Sequence, residues 1–166
     1  MERAVRPPQA AMLSTVLRSI RNDRRMRTAE VARAMGMALR SYEHFEAGGG
    51  RLNLERIHRF AEVTDSDPYA ILAALDIGSP AFALRCADNK FMTILMVALQ
   101  EFDEDVGDGV AELDARPIIN TFTKALKDLG AQAVRRDGAA DVWLDERRRR
   151  LTPPFDGGPG PDKDTP

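Results

Sequence analysis

A chain of 166 residues has room for one modest domain with an appendage, or for two small helical domains sharing a core. One cysteine, Cys86, excludes an internal disulfide, and two histidines, His44 and His58, leave no metal-ligand cluster, so neither a metal nor a cofactor is expected. The formal net charge of −2 hides a split: residues 1–60 hold twelve arginines and no lysine against six acids, a net +6, and the remainder carries −8.

In chain order, the N-terminus has no uninterrupted apolar stretch before its arginines, so no secretory signal is expected. After Pro7 and Pro8, the helical spacing of Leu13, Val16, Leu17 and Ile20 predicts an amphipathic first helix, with Arg18, Arg21 and Arg25 between or beyond them. Thr28 to Met35 reads as a short second helix ending at Gly36, and Ala38 to about Ala47 as a third, stopped by Gly48, Gly49 and Gly50. Asn53 is placed to cap a fourth helix that turns Leu54, Ile57, Phe60 and Ala61 inward. Asp67 and Pro68 open a fifth, with Ile71, Leu72 and Leu75 inward and Gly78 at its end. Five short helices without an alternating strand pattern predict a compact all-α domain.

Ser79 and Pro80 read as a junction. Beyond them Asp88 to Phe102 is apolar nearly all round, which predicts a helix buried on more than one side. Its run FMTILMVAL, Phe91 to Leu99, is about half the length of a bilayer crossing, so the chain reads as soluble and cytoplasmic, without a membrane partner. An acidic loop punctuated by Gly107 and Gly109 follows, holding Glu101, Asp103, Glu104, Asp105 and Asp108; it lacks the glycine and glutamate at the spacing a calcium loop requires. A further helix is expected from about Pro117 to Gly130, burying Ile118, Ile119, Phe122, Leu126 and Leu129. Val142, Trp143 and Leu144 form a candidate docking patch beside Arg147 to Arg150, and from Thr152 the Pro- and Gly-rich sequence predicts disorder. Cys86, with no context for nucleophilic activation, is expected to be a buried small apolar residue, and no catalytic pattern includes His44 or His58; the chain does not read as an enzyme.

The stretch EVARAMGMALRSYEHFEAGGG, Glu30 to Gly50, is patterned for a helix-turn-helix. Two helices joined by a tight turn cross steeply only over a small residue, with a turn that accepts positive φ and apolar side chains meeting beneath. Ala32, Gly36 and the set Val31, Met35, Met37, Tyr42 and Phe45 meet these demands. In that arrangement the second helix lies in the DNA major groove and the first crosses the backbone.

Over residues 10–76 the chain resembles the Cro/CI-type, or XRE-type, helix-turn-helix family. The first helix LSTVLRSIRNDRRM, the unit TAEVARAMGMALRSYEHFE, the AGGG after it and LERIHRFAEV with a closing short helix stand in the family's order and spacing. The resemblance implies an N-terminal five-helix lambda-repressor-like DNA-binding domain over residues 10–78. A small α-helical dimerisation or partner-binding region (79–136) and a flexible, disordered C-terminal tail (137–166) complete the expected organisation. It also implies that Arg21 pairs with Glu46 and holds the first helix against the third. Three residues depart from the family's usual pattern: Thr28 replaces a phosphate-touching glutamine, Ala38 a capping serine or threonine, and Tyr42 a small aliphatic.

By helical position, Leu39, Arg40, Ser41, Glu43 and His44 face the groove while Tyr42 and Phe45 turn inward. Arg40 is the foremost candidate for base reading, since a guanidinium bonds both acceptors of a guanine edge. Thr28, Arg27, Arg51 and Arg56 stand where phosphate contacts would position the domain. The expected function is sequence-specific DNA-binding transcriptional regulation, with double-stranded DNA as partner and a homodimer formed through residues 79–136. Another transcription factor or RNA polymerase is a further possible partner. Repression is the default, because a bound protein blocks a promoter without further contacts. The Arg- and Ala-rich composition and helical extension look similar to regulators of phage-like genes, gene transfer agents among them. The alternative is an antitoxin-like or co-activator adaptor that keeps the helix-turn-helix scaffold with weak DNA contact.

Overall fold

Apolar stripes at helical spacing and four similar chain reversals shape the N-terminal part of the computed structural model, which describes the backbone of residues 8–151 and the side chains of 8–135 and 142. Helix α1 (Gln9–Asp23) buries Met12, Leu13, Val16, Leu17 and Ile20 along one face. Helices α2 (Thr28–Ala34), α3 (Leu39–Glu46), α4 (Leu54–Val63) and α5 (Pro68–Ile77) follow. They close one core over Val31, Ala32, Tyr42, Phe45, Ile57, Phe60, Ile71 and Leu75. All described elements are helical: α6 (Pro80–Arg85), α7 (Phe91–Val106), a 3-10 segment (Gly107–Glu112) and α8 (Ala115–Leu151) complete the order.

Helices α1 to α4 each end in a residue with positive φ, followed by the paired backbone bonds that satisfy the last carbonyls. After α2, Gly36 adopts φ +67, its N–H donates to the Arg33 carbonyl at 3.0 Å, and Met37 N–H donates to the Ala32 carbonyl at 2.9 Å. After α3, Gly48 and Gly49 repeat this on Phe45 and His44. The left-handed residue after α1 is Arg25 (φ +55) and after α4 is Asp65 (φ +47), positions without a glycine signal. Tertiary bonds hold both reversals: Arg24 donates to the Thr64 and Asp65 carbonyls at 2.8 and 2.9 Å, and Lys90 Nζ donates to the Asp65 carbonyl at 2.7 Å. Lys90 Nζ also donates to the Asp65 carboxylate at 2.9 Å, and this side-chain hydrogen bond holds the carboxyl below its ordinary pKa.

Gly48 is constrained twice. Its φ is +78, and a Cβ there would strike the Ala10 backbone at the start of α1. The left-handed backbone alone disfavours alanine by about 1–2 kcal/mol, so Gly48→Ala is expected to lower the urea midpoint with an unchanged slope; an unaltered midpoint would refute the close approach of α1.

The N-terminal compact unit extends to Gly107, and the second begins at Asp108. The junction read at Ser79 and Pro80 is instead a helix start: Pro80 opens α6, which packs on α1 and α5 and buries Ala83. The division expected between 10–78 and 79–136 is therefore not where the compact units part. Cys86 is buried, and burial pushes its thiol pKa up.

Helix α7 departs from expectation in burial. It packs on α5, with Phe91 edge-on to Phe82 at 6.4 Å, yet none of its residues is fully buried. The acidic segment from Glu101 to Val106 is the last part of this helix, and not a loop. One side chain anchors the other end. Asp67, fully buried, accepts from Tyr69 N–H and Ala70 N–H at the start of α5 and from Met92 N–H and Thr93 N–H at the start of α7. Thr93 Oγ1 donates to it as well, at 2.9 Å. One carboxylate thus satisfies donors of two helix N-termini.

In the second unit, α8 starts near Pro117 as expected but continues through Gly130 to Leu151, so residues 137–151 of the expected flexible tail have helical backbone. Ile118, Ile119, Phe122, Leu126 and Leu129 of α8 are exposed, where burial was expected. Val142 is exposed; the side chains of Trp143, Leu144 and Arg147 to Arg150, and all of 152–166, lie outside the described residues. Among the described residues, no helix is long and apolar enough to cross a membrane.

Candidate nucleic-acid interface

The orientation of α3 is set from beneath. Tyr42, Phe45 and Glu46, spaced three and four apart, are buried. Phe45 packs between Tyr42 and Phe60, with ring centroids at 6.2 and 6.3 Å. Glu46 sits at the centre of a polar cluster in which Arg21 Nε donates to Oε1 at 2.5 Å and the Tyr42 hydroxyl donates to the same oxygen at 2.9 Å. A second guanidinium nitrogen of Arg21 reaches Oε2 at 3.3 Å, and Arg18 approaches to 3.8 Å from a more exposed position. The hydrogen bond to Glu46 holds Arg21 above its ordinary pKa, and burial, then the Glu46 carboxylate, pushes the Tyr42 phenol up. The Arg21–Glu46 pairing implied by the family resemblance is present. Tyr42 enters it through its hydroxyl, a role not read from the sequence although Tyr42 and Glu46 stand four apart on one helix.

The opposite face of α3 is open. Leu39, Arg40, Ser41, Glu43 and His44 are all exposed. At 100° per residue, Arg40 and His44 lie farthest from the buried face, Ser41 and Glu43 flank them, and Leu39 sits nearer its edge. The His44 imidazole lies over Gly49, where a Cβ would strike the ring. This glycine lets the last turn of α3 fold its histidine along the following loop.

Beside the start of α3 lies a cleft of about 370 Å³, lined by Met37, Ala38, Ser41, Asn53, Glu55, Arg56 and Arg59. Ala38 caps α3 without a side-chain hydrogen bond, which leaves the first N–H groups of the helix without a side-chain acceptor. Asn53 Oδ1 accepts Arg56 N–H at 3.0 Å, fixing the first turn of α4 along the cleft. Arg59 was not singled out from the sequence; it spans from the Met35 carbonyl at 3.3 Å to Glu55 at 3.2 Å.

The candidate phosphate-facing residues are dispersed. Half-buried Thr28 opens α2, and exposed Arg51 lies in the loop between α3 and α4; neither lines the cleft. Arg27 precedes Thr28, but its charge is met by Glu30, which accepts both the Arg27 N–H at 2.7 Å and the guanidinium at 3.0 Å. The Arg27 backbone hydrogen bond, ahead of its side chain, holds Glu30 below its ordinary pKa. Among the described residues, Arg40, Arg51 and Arg56 form no ion pair. Their guanidinium groups are therefore available to an external anion. No three described His, Cys, Asp or Glu side chains converge in a way that would hold a metal ion.

No protein-family model, curated protein or solved structure matches the chain.

Proposed function

We propose that the protein is a sequence-specific DNA-binding transcriptional regulator whose first five helices form a lambda-repressor-like domain of the Cro/CI helix-turn-helix kind, with α3 entering the major groove. The observation that carries this reading is the two-sidedness of α3: Tyr42, Phe45 and Glu46 are locked into the core while Arg40, Ser41, Glu43 and His44 stand exposed on a short helix. The arginine excess of residues 1–60 supports it, because phosphate neutralisation supplies most of the sequence-independent affinity. Arg40 bonds a guanine edge, Leu39 touches a thymine methyl, Glu43 accepts from cytosine, and His44 and Ser41 reach base edges or phosphates. Thr28, Arg51 and the cleft with Arg56 meet phosphates. A single domain of this kind reads one half-site, so a second copy of the chain supplies the other. Repression follows from occupying a promoter, with phage-like or gene-transfer-agent genes as targets.

The exposed apolar side chains Ile94, Val97 and Phe102 of α7 favour a second reading, an interaction adaptor built on the same scaffold, with a transcription factor or RNA polymerase as partner. Selection of bound sequences from random duplexes, followed by titration of Arg40→Ala, separates the two. Arg40→Ala is expected to weaken the selected site by about 1–3 kcal/mol and relax one base pair, with little change on random DNA. Arg51→Ala weakens all sequences alike and lowers the salt slope by about 1. Equal losses on selected and random DNA for Arg40→Ala would remove α3 from base reading, and failure to enrich any motif would leave the adaptor.

A further inference from the structure

Helix α8 holds an apolar seam that repeats alternately every three and four residues: Ile119, Phe122, Leu126, Leu129 and Ala133. This spacing keeps one stripe facing a neighbouring helix over two heptads. Yet Ile119 is 62% exposed and Leu126 56%, and no described side chain of α8 is buried. A helix of 37 residues draws most of its stability in water from packing of its apolar face.

Two further features of α8 indicate what that face meets. From Ile119 to Ala133 the positions bordering the seam are Ile118, Thr123, Ala125, Gly130 and Gln132, none charged, while Lys124, Lys127, Asp128 and Arg135 fall on the remaining surface. Arg116, at the border one turn before, and Arg136, next in the repeat, bound the seam at its two ends. Between those ends two identical seams therefore meet without like charges opposed at their edges. Gly130 stands in the helix interior, where glycine is disfavoured against alanine, and a Cβ there would meet open space. Among the described residues, nothing calls for a glycine at that point. A second helix packed closely along Leu126, Leu129 and Ala133 does, because the missing Cβ lets the two backbones approach.

We propose that α8 is the surface through which two copies of this chain associate, the seam of one packing against the same seam of the other. The inference rests on the DNA-binding reading only in expecting a second copy; the repeat, the uncharged borders and Gly130 stand without it. The second copy would also give a regulator its second half-site.

Sedimentation equilibrium of the full chain without DNA tests the proposal, so its failure is distinct from failure of the DNA reading. The expected species is a dimer of the 18.4 kDa chain, and Leu126→Glu is expected to raise its dissociation constant about 100-fold or more. Because Leu126→Glu also weakens α8 itself, Gly130→Lys is the second variant: it favours helix formation in a single chain but places a long side chain beside the seam. A weakened dimer with undiminished helicity in Gly130→Lys supports the seam. A wild-type monomer at micromolar concentrations overturns the proposal, as does a dimer that both variants leave intact, which would place the contact elsewhere. A dimer weakened by Leu126→Glu alone, with helicity lost and Gly130→Lys unaffected, overturns the close packing of α8 as well.

Discussion

Arg21→Met is expected to destabilise the folded chain by about 3–5 kcal/mol, because it strands the Glu46 carboxylate in the core. That carboxylate accepts from Arg21 and from the Tyr42 hydroxyl, and its side chain is only 7% exposed. Removing the cation leaves the hydroxyl as its remaining close partner, with Arg18 at 3.8 Å, and burial of an unpaired charge is costly. The same substitution frees the Met26 carbonyl, which Arg21 holds at 3.1 Å. Urea denaturation followed by circular dichroism measures the loss. Combining Arg21→Met with Glu46→Leu is expected to recover a large part of it, since replacing both partners by apolar groups removes the uncompensated charge. If the double variant is no more stable than Arg21→Met, the cost comes from lost packing between α1 and α3 and the stranded charge is not the cause. Under the proposed DNA reading, Arg21→Met is expected to weaken binding to every sequence alike through the folded fraction, whereas Arg40→Ala is expected to change preference at one position.

Asp67→Ala is expected to cost roughly 3 kcal/mol, about 1 kcal/mol for each helix start it serves and the rest for the Thr93 hydroxyl and the space left behind. Its two oxygens bind α5 and α7 together across 25 residues of sequence, with Met92 N–H at 2.8 Å and Thr93 N–H at 3.0 Å. Hydrogen exchange locates the effect. The amides of Met92 and Thr93 are expected to lose protection more than those of α1 to α3, because α7 has no fully buried side chain to hold it once the carboxylate is gone. Uniform loss across the N-terminal unit would mean that Asp67 acts through α5 alone. Asp67→Asn tests the charge: one oxygen of the anion becomes an amide donor facing backbone donors, so little of the loss is expected to be recovered.

Much of the N-terminal fold was legible from local chemistry. Gly36, Gly48 and Gly78 are in the left-handed region where the sequence places helix ends, and Asn53 and Asp67 cap the helices they precede. The inward set Tyr42 and Phe45 is buried, and Leu39 to Ser41, Glu43 and His44 are exposed, because a helical period decides both. Two reversals without glycine were not legible. Arg25 and Asp65 accept positive φ at a local cost of about 1–2 kcal/mol, which bonds from Arg24 and Lys90 to backbone carbonyls on other elements offset.

By itself, then, the sequence determined where α1 to α5 begin, which face of each is apolar and which side of α3 is polar, with Leu54 of α4 the exception, exposed where it was expected to turn inward. These follow from capping chemistry and spacing within a few residues. Only the tertiary structure decided that Tyr42 joins the Arg21–Glu46 pair, that Asp67 serves a second helix and that the first unit runs on to Gly107. It also decided that the acidic segment from Glu101 continues α7, where a glycine-punctuated loop was expected. The physical reason is range. A capping bond or an apolar stripe is made by neighbours in the chain, whereas a buried carboxylate takes whatever donors the packed helices bring to it, and those stand tens of residues away.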